Sequence, residues 1–459
     1  MIKIGLEIHC ALSCTKTKLF CGCPNRVVGE PNTITCPACL GLPGSKPRVN
    51  AAAIEAGIKI GLALNCKFPK EIFFSRKQYF YNDLPKNFQI TQYEIPLGKD
   101  GFFETQEKRI GITRIHLEED PGKIIHAGGD MIKADYTLID YNRSGVPLCE
   151  IVTEPDLRSA QEARIFLEEL SRVLEYLEVY DSGREGALRV DTNVSSGSER
   201  VEVKNISSFR DVEKAIEYEI KRQAKIIEKG SKVVRETRAW NGSQTVSLRE
   251  KEAEEEYGYI FEPDLTRTAI DEKAVKSLKK TLPEMAADKV KRYQKEFRLS
   301  RETAESITSD LHLARMFETV VKDVEPKLAG SWLAVQVPKT LNYNNLRIKD
   351  SGLRPEHLIK LLKLVEHEKI TEKTAEETLR KIVLNPQDPE NLVKDMAKIF
   401  DKKELEDAVN EVLASHPKAI IDFKSGKKEA LNFLMGQVMR KTKGRGDSAT
   451  IRDILKKRL

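Results

Sequence analysis

Four cysteines near the N-terminus stand in two tight pairs, Cys21-Gly-Cys23 and Cys36-Pro-Ala-Cys39, with 12 residues between the pairs. Paired thiolates on two short turns are a common way for proteins to build a tetrahedral zinc site. Four cysteine ligands leave no coordination position open. This zinc would therefore be structural and would fold the segment 19–44, which is too short to bury a core of its own. Disulfides and unlinked thiols are the alternatives, and a reducing compartment favours zinc over both.

Two polar residues in the apolar N-terminal strand could also do chemistry. Glu7 and His9 are two positions apart. Side chains alternate along a strand, so both should face the same side. A lone Glu-x-His pair can equally be the polar face of a half-buried strand, and its meaning depends on other ligands in the chain.

Further candidate ligands follow in two later segments: His116, Glu118, Glu119, Asp120 and Glu150. Three of them are consecutive carboxylates, which repel one another unless water, basic groups or a divalent cation neutralises them. Glu150 stands alone at the end of another apolar strand. Together with Glu7 and His9, these oxygen ligands would suffice for Mg²⁺, beside a histidine that could bind metal or phosphate.

Length and composition limit the class of protein. At 459 residues the chain is too long for one core and should form two or three domains. An apolar content of 40% and a charged content of 32% are typical of an ordinary globular protein. No stretch approaches the roughly 20 apolar residues of a membrane span. The N-terminus lacks the pattern of an export signal, so we expect a cytoplasmic protein.

The net charge of +6 is concentrated at the C-terminal end. Residues 418–459 contain 12 Lys or Arg against 4 Asp or Glu, an excess of eight positive charges, so the rest of the chain is slightly acidic. A basic terminal module on a mixed-charge body is typical of a protein that grips a polyanion with one end. A solvated helical face is the alternative.

The pattern along the chain predicts an α+β protein of three domains. Residues 1–285 mix β-branched and aromatic runs with amphipathic helices, which indicates a mixed domain. Strand patterns vanish beyond about residue 284, so we expect a helical domain at 286–398 and a small basic helical domain at 399–459.

Several helices have clear ends in the sequence. Ser159 with Glu162 predicts a capped helix start, and Ser208 with Asp211 predicts another. In the last domain a helix is expected over about 428–443. Its predicted inner face carries Ala430, Leu431, Phe433, Leu434, Val438 and Met439.

Missing motifs narrow the chemistry. The chain has no Gly-x-x-x-x-Gly-Lys-[Ser/Thr] and no Gly-x-Gly-x-x-Gly, so neither a P-loop nor a dinucleotide fold is expected. The only Gly-Gly pair, Gly128-Gly129, does not supply the Gly/Ser-rich nucleophile loop of a Ser-Lys amidase. Ile2 follows Met1, so processing cannot expose an N-terminal cysteine nucleophile.

An ordered set of motifs points to one family. These are Gly5-Leu-Glu-Ile-His9, the cysteine pairs through Cys36-Pro-Ala-Cys-Leu-Gly-Leu-Pro-Gly44, Arg76-Lys-Gln-Tyr-Phe-Tyr-Asn-Asp-Leu-Pro-Lys86, Arg109-Ile-Gly-Ile-Thr-Arg114, His116-Leu-Glu-Glu-Asp120, Asn142-Arg-Ser-Gly-Val-Pro147, Glu154-Pro-Asp156, Val203-Lys-Asn205 and Phe261-Glu-Pro-Asp264. The chain resembles the B subunits of the glutamyl-tRNA(Gln)/aspartyl-tRNA(Asn) amidotransferases of the GatCAB type. The resemblance covers essentially the whole length, including the basic tail.

The resemblance implies a subunit of a heterotrimer with a cradle-like N-terminal kinase domain. Such a subunit uses ATP and Mg²⁺ to phosphorylate the side-chain carboxylate of Glu or Asp mischarged on tRNA. A glutaminase A subunit supplies ammonia, a small C subunit completes the complex, and the products are Gln-tRNA or Asn-tRNA. Phosphoryl transfer depends mostly on positioning and on charge neutralisation around Mg²⁺, which suits a chain rich in clustered carboxylates.

Carried over by position, the resemblance also implies site residues. Catalytic and Mg²⁺-binding roles fall to His9, Glu119 and Glu150, with Glu7 beside them to bind the cofactor. Lys77 is also expected to be catalytic, and it lines the pocket together with the cofactor-binding Tyr81. We expect Lys204 to contact phosphate, on grounds of charge more than of motif. The four cysteines would hold structural zinc. In the tail, Arg440, Lys441, Lys443 and Arg445 crowd around the Gly444 and Gly446 turn and are expected to bind tRNA.

The chain departs from the family pattern at Gly258, where many members have Arg, so the role of that arginine cannot be carried over. Some members lack the four cysteines, which favours a structural role for zinc. A zinc-stabilised RNA-binding or assembly factor without catalysis is the alternative function. The clustered carboxylates argue against it, because a pure RNA binder gains nothing from buried acids near phosphate.

Overall fold

The computed structural model divides the chain into two compact units, Met1–Glu284 and Met285–Leu459. The structure describes residues 1–105, 108–128, 135–184, 186–197, 199–206, 208–250, 258–394, 402–425, 427, 429–442 and 444–459. Within these ranges the first unit mixes strands and helices, and the second unit has helices without strands. The α+β class is confirmed.

The strands all lie in the first unit of the described chain. Their bounds are β1 Lys3–Ala11, β2 Glu71–Ile72, β3 Ser75–Gln78, β4 Phe88–Thr91, β5 Gly98–Glu104, β6 Arg109–Glu119, β7 Lys123–His126, β8 Thr137–Asp140, β9 Pro147–Thr153, β10 Leu188–Ser195, β11 Val201–Ile206, β12 Glu236–Trp240, β13 Thr245–Glu250, β14 Gly258–Phe261 and β15 Thr268–Ala269.

The helices of the first unit are α1 Pro37–Leu40, α2 Ala51–Ala63, α3 Ala160–Tyr176, α4 Phe209–Glu228 and α5 Glu272–Thr281. The second unit contains α6 Ala286–Phe297, α7 Arg301–Thr308, α8 Leu311–Val320, α9 Pro326–Ser331, α10 Val337–Tyr343, α11 Pro355–Glu366, α12 Glu372–Leu384, α13 Pro389–Leu392, α14 Lys402–Ser415, α15 Pro417–Lys424, α16 Glu429–Lys441 and α17 Ser448–Arg458. No helix of the described chain has the length and apolar character needed to cross a bilayer.

One large sheet organises the first unit. Its eight strands run in the order β13-β12-β11-β10-β1-β9-β6-β5, so the N-terminal strand β1 lies in the middle. β1 pairs antiparallel with β10 on one side and with β9 on the other. Ile4, Leu6 and Ile8 are buried along β1, and strand alternation turns them to the face opposite Glu7 and His9.

Both predicted helix starts in this unit are confirmed. The Ser159 side chain accepts a hydrogen bond from the Glu162 backbone N–H at the start of α3. The Ser208 side chain accepts one from the Asp211 N–H at the start of α4. Each cap satisfies a backbone donor that the first turn leaves unpaired, which fixes where the helix begins. α3 and α4 pack against each other, and α4 also contacts β10 and β11.

A small three-stranded sheet stands apart from the large one, in the order β14-β3-β4. Its antiparallel register pairs Tyr259 with Lys77 and Lys77 with Gln89. β4 also contacts β6 of the large sheet. The two sheets therefore meet along this line.

Among the described residues of the second unit, apolar side chains form a larger and a smaller cluster. The larger one spans residues 293–393, and its fully buried members include Tyr293, Phe317 and Leu358. The smaller one is formed by Leu405, Ala408, Val409, Val412, Leu434, Val438, Ile451, Ile454 and Leu455. These two cores accord with the predicted domains 286–398 and 399–459, although the boundary between those domains stays a prediction.

The predicted inner face of the last domain is largely confirmed. Leu434 and Val438 are fully buried, and Leu431 packs against them. Phe433 is the exception, because 48% of it is exposed. It follows Leu431 by only two positions, which on a helix is not the same face, and its ring lies edge-on to His416 instead.

Candidate functional site

A row of charged side chains crosses four neighbouring strands of the large sheet. In the antiparallel register, Arg189 of β10 pairs with His9 of β1, His9 with Glu150 of β9, and Glu150 with His116 of β6. Residues directly opposite one another in antiparallel strands point to the same face. The fold therefore brings together residues that are far apart in the sequence.

Glu150 lies between two histidines. Its Oε2 is 3.4 Å from His9 Nε2 and 3.3 Å from His116 Nε2. Glu118, two residues after His116 on the same strand, approaches the same two histidines at 3.7 Å and 3.6 Å. One ligand atom from each of His9, Glu118 and Glu150 fits within a group in which all atoms are less than 4.8 Å apart.

The charges in this group stabilise one another. Burial opposes a charge on His116, but the charges and hydrogen bonds of Glu150 and Glu118 together outweigh it and raise the pKa of His116 to about 9. The pKa of His9 is raised as well, because burial is outweighed by the hydrogen bond and charge of Glu150. Burial alone would raise the pKa of Glu150, yet the nearby His116 charge lowers it well below its ordinary value. His116 Nδ1 is buried and has no hydrogen-bond partner among the described residues.

A second carboxylate group lies on the next strands. Glu7, Asp191 and Glu202 also bring one oxygen each to within 4.8 Å of the others. Lys204 neutralises part of this charge, since its Nζ is 2.7 Å from Asp191 and 3.2 Å from Glu202. Burial raises the pKa of Glu7, and the charges of Glu150 and Glu202 raise it further.

The predicted trio of His9, Glu119 and Glu150 needs correction, because the fold does not bring Glu119 to the other two. Glu119 Oε1 instead accepts a hydrogen bond from the Ile90 backbone N–H at 2.9 Å and pairs with Lys86 Nζ at 2.5 Å. Consecutive strand residues point to opposite faces, so Glu118 and Glu119 cannot serve the same site. Glu118, and not the Glu119 that the resemblance implied, lies beside His9 and Glu150, while the assignment of metal ligands stays a prediction.

The third consecutive carboxylate, Asp120, has its own partners. Arg189 Nη2 pairs with Asp120 Oδ1 at 2.8 Å, and Arg143 Nε lies 3.7 Å from Asp120 Oδ2. The three neighbouring acids of the sequence are thus separated by the fold into three environments, and their mutual repulsion is relieved without placing them on one cation.

The charged rows line an open cleft of about 1290 Å³. Its bordering residues from the large sheet include Glu7, His9, Arg114, His116, Glu118, Glu150, Asp191, Glu202 and Lys204. The small sheet contributes Lys77, Gln89, Thr91, Tyr93 and Tyr259. Lys77, expected to line a pocket, and Lys204, expected to contact phosphate, both border the cleft. Tyr81, also expected to line the pocket, is not among the bordering residues and is 46% exposed.

The four cysteines of the N-terminal segment converge. The Sγ atoms of Cys21, Cys23, Cys36 and Cys39 all lie within 4.8 Å of one another. A tetrahedral zinc with Zn–S distances of about 2.3 Å needs sulfur atoms slightly less than 4 Å apart, so the cluster fits this metal. Cys36 and Cys39 flank the start of α1, and the Cys36 backbone N–H donates to Cys39 Sγ at 3.1 Å.

Of the four thiols, that of Cys39 lies in surroundings that favour the thiolate, whereas burial raises the pKa of Cys23 to about 11. A hydrogen bond from Cys21 lowers the pKa of Cys39 to about 5. Lys18 is fully buried beside it, with Nζ 2.8 Å from the Ile34 carbonyl oxygen and 3.9 Å from Cys39 Sγ. A buried ammonium needs an anionic partner, and a deprotonated cysteine cluster supplies one.

Comparison with known proteins decides the family. Residues 2–276 match the family model described as the GatB/GatE catalytic domain, and residues 315–459 match the GatB domain. The B subunit of the aspartyl/glutamyl-tRNA(Asn/Gln) amidotransferase of Thermotoga sp. strain RQ2 is 44% identical over 474 residues, covering 99% of this chain and 98% of its own. The protein of the same name from Saccharolobus solfataricus is 43% identical, covering 100% of this chain and 99% of its own.

This chain belongs to the GatB family. The match reaches the last residue and so includes the basic tail. The match to the catalytic domain, residues 2–276, includes the cysteine cluster and the described residues that border the cleft.

The predicted nucleic-acid residues of this GatB family member lie around the end of α16. Arg440 and Lys441 are exposed, and Lys441 pairs with Glu411. Arg445 Nη2 is 4.0 Å from Glu404. Lys443 lies outside the described residues. Gly444 has a φ of 76°, which favours glycine, and its N–H donates to the Met439 carbonyl to close the helix.

Sequence reasoning counted His116 and Glu118 among the candidate ligands but left them out of the expected site, and it did not single out Asp191 or Glu202. For Glu118 a signal was present, because His116 and Glu118 have the same i, i+2 spacing as Glu7 and His9 and should share a face. Asp191 and Glu202 could not be found this way, because only the strand order β11-β10-β1 brings them to Glu7.

Proposed function

We propose that this chain is the carboxylate-activating subunit of a tRNA-dependent amidotransferase. The reaction is ATP-dependent phosphorylation of the side-chain carboxylate of Glu-tRNA(Gln), Asp-tRNA(Asn) or both, followed by amidation to Gln-tRNA(Gln) or Asn-tRNA(Asn). The proposal rests above all on the group of His9, Glu118 and Glu150, whose ligand atoms converge inside a cleft. Membership of the GatB family supports this proposal, since the relatives described above are named as B subunits of an aspartyl/glutamyl-tRNA(Asn/Gln) amidotransferase.

The residues present fit a divalent cation. Two carboxylates and one imidazole offer a mostly hard donor set suited to Mg²⁺, and Glu7 lies beside them with a second carboxylate group. When bound, Mg²⁺ would neutralise the phosphate charge of ATP. His9, Glu118 and Glu150 are proposed to hold it, and the buried His116 would orient Glu118 and Glu150 from the other side.

The cationic side chains around the cleft would bind and orient the anionic substrates. Lys77 borders the cleft from the small sheet, and Arg114 and Lys204 border it from the large one. Burial opposes a charge on Lys204, but Asp191, Glu202 and Glu7 together outweigh it and raise the pKa of Lys204 well above its ordinary value, so this side chain stays cationic. Lys204 would contact phosphate while it keeps its ion pairs with Asp191 and Glu202. Neutralisation and positioning of this kind supply most of the catalysis in phosphoryl transfer.

The remaining parts of the chain have supporting roles in this proposal. The cysteine cluster holds structural zinc and folds the segment 19–44. Hydrogen bonds connect this segment to the turn before β9, the strand that carries Glu150. The Asn142 side chain accepts from the Ile34 N–H at 2.7 Å and donates to the Glu30 carbonyl at 2.8 Å. An ordered segment would therefore help to fix the position of that turn. The basic C-terminal domain binds tRNA. A glutaminase A subunit and a small C subunit complete a heterotrimer, and the complex acts in the cytoplasm.

A transamidation assay tests the proposed function. Purified chain is combined with glutaminase and C subunits of a relative or of the same source, and each mischarged tRNA is supplied with glutamine and Mg·ATP. Formation of Gln-tRNA or Asn-tRNA that requires all three subunits and ATP is the expected result. Binding of tRNA without any ATP-dependent product would favour the non-catalytic RNA-binding function instead.

A further inference from the structure

Two tyrosines form a stacked pair on the wall of the cleft. The rings of Tyr93 and Tyr259 are 3.9 Å apart between centroids and inclined by only 13°. Both residues border the cleft, and Tyr93 is 44% exposed. One face of the Tyr93 ring is therefore covered by Tyr259, while much of the residue remains open to the cleft. A large aromatic surface left exposed beside a charged site is suited to a flat apolar ligand group.

The small sheet places this pair in a defined row. Tyr259 of β14 pairs with Lys77 of β3, which pairs with Gln89 of β4, and all three border the cleft. Thr91 and Tyr93 follow Gln89 at alternate positions and border it too. The Lys77 ammonium also lies 5.6 Å from the Tyr79 ring centroid. Aromatic faces and a cation are thus presented together along one wall.

The aromatic pair is near the carboxylate group. Thr91 Oγ1 donates to Glu118 Oε2 at 3.2 Å, which ties the two walls together. Tyr93 lies two residues beyond Thr91, the last residue of β4, so their Cα atoms are at most roughly 7 Å apart. A ribose with its attached chain of phosphates spans such a distance. A ring stacked on Tyr93 could therefore have its reacting end at Glu118 and Glu150.

We propose that Tyr93, supported by Tyr259, is the stacking platform for an adenine base in this cleft. The inference rests on the proposed function, in which both substrates carry adenosine: ATP, and the terminal adenosine to which the amino acid of a charged tRNA is esterified. Stacking on an aromatic ring holds a base without hydrogen-bond readout. In either case the base is anchored on the small sheet while the anionic end reaches the carboxylates of the large sheet.

The first arm of the test measures nucleotide binding to the full-length chain by calorimetry. The probes are Mg·ADP and Mg·pyrophosphate, which lacks the base. Loss of one stacked base should weaken Mg·ADP binding to Tyr93→Ala by roughly 5- to 100-fold, while Mg·pyrophosphate binding stays unchanged. Tyr93→Phe, which keeps the ring, should bind Mg·ADP within about twofold of the parent protein. Tyr136→Ala removes a tyrosine that is 62% exposed and does not border the cleft, and it serves as the matched control.

The second arm measures binding of a tRNA with a complete 3′ end and of the same tRNA without its terminal adenosine. A Tyr93→Ala effect on Mg·ADP alone assigns the adenine to ATP, and loss of discrimination between the two tRNAs assigns it to the tRNA end. Tyr93→Leu keeps apolar bulk without a ring and should behave like Tyr93→Ala, which separates stacking from a packing defect. Unchanged binding in both arms overturns the platform while the proposed function stands. A parent protein that binds neither Mg·ADP nor tRNA contradicts both.

Discussion

The two units of this chain differ in how many charged side chains they bury. Within the described residues, every buried carboxylate belongs to the first unit, among them Glu118, Glu150, Glu202 and Glu219. Lys289 is the one buried charged residue described in the second unit, whose cores are apolar and whose charges otherwise lie toward solvent. Burying a charge is costly unless it is paired, so the first unit must gain something specific from its buried acids.

This difference in burial indicates which unit is suited to catalysis and which is suited to binding. Buried charges in a fixed geometry keep most of their strength and can hold a cation or orient a phosphate. Exposed charges are screened by salt and contribute affinity without fixed geometry. We therefore propose that catalysis takes place in the first unit and that the second unit binds a polyanion.

The largest expected effect comes from the carboxylates of the cleft. Glu150→Gln and Glu118→Gln each remove a charge from the proposed Mg²⁺ site and should lower ATP-dependent product formation by roughly 100-fold or more. Mn²⁺ binding followed by electron paramagnetic resonance should weaken in parallel. Glu55→Gln, in an exposed pair with Lys59 on α2, is the control and should change neither. Full activity and unchanged Mn²⁺ binding in both cleft variants would contradict the proposal that Glu118 and Glu150 hold Mg²⁺.

Much of this contrast could be predicted from the sequence, and the missing part has a clear cause. Cysteine spacing is local, so the zinc-type cluster follows from the chain alone. The helix caps at Ser159 and Ser208 are local as well. The carboxylate group depends on the order in which strands pair. Choosing Glu118 over Glu119 requires knowing the register in which β6 pairs with β9, because a shift of one residue moves each side chain to the other face of the sheet.

The cysteine cluster provides the second test of the first unit. Cys36→Ser removes one of four thiolates and should reduce zinc content from about one per chain to well below one, with a lower thermal unfolding temperature. Zinc is measured by elemental analysis after anaerobic purification. Cys14→Ser, an exposed cysteine outside the cluster, is the control and should keep its zinc. Absence of zinc from the unmodified protein would contradict the assignment.

The pair of Glu119 and Lys86 separates stability from catalysis. Both side chains are nearly fully buried, with exposures of 5% and 7%. Glu119→Gln leaves the Lys86 ammonium without its partner and should lower the free energy of unfolding by roughly 3–5 kcal/mol. The exposed pair of Arg267 and Glu71 is the control, and Glu71→Gln should cost no more than about 1 kcal/mol. Denaturant unfolding measures both.

The outcome also checks the corrected position of the metal. Glu119→Gln protein that remains folded should still bind Mn²⁺, because this carboxylate points away from His9 and Glu150. Loss of Mn²⁺ binding without loss of stability would restore Glu119 to the site and displace Glu118.

The smallest effect is expected in the second unit, where single charges are screened. Arg440 is exposed and has no ion pair with the described residues, whereas Lys441 and Arg445 face Glu411 and Glu404. Arg440→Gln should therefore weaken tRNA binding more than Lys441→Gln. Loss of one phosphate contact should make the slope of log affinity against log salt shallower by about one. Lys276→Gln on α5 of the first unit, a residue 77% exposed, is the matched control.

Measurement of tRNA affinity across a salt series decides whether the basic tail binds phosphate or only forms a solvated surface. If the tail binds phosphate, the Arg440→Gln and parent curves should converge at high salt, because the parent protein then loses the same contact. Truncation of residues 399–459 should act in the same direction with a larger slope change and should raise KM. It also removes Gly444, whose carbonyl accepts from Thr371 Oγ1 at 2.7 Å, so the point variant is the cleaner measurement. Equal affinities and equal salt slopes for the parent and Arg440→Gln proteins would mean that the eight excess positive charges of the tail only keep its surface solvated. The second unit would then have no role in binding a polyanion through these charges.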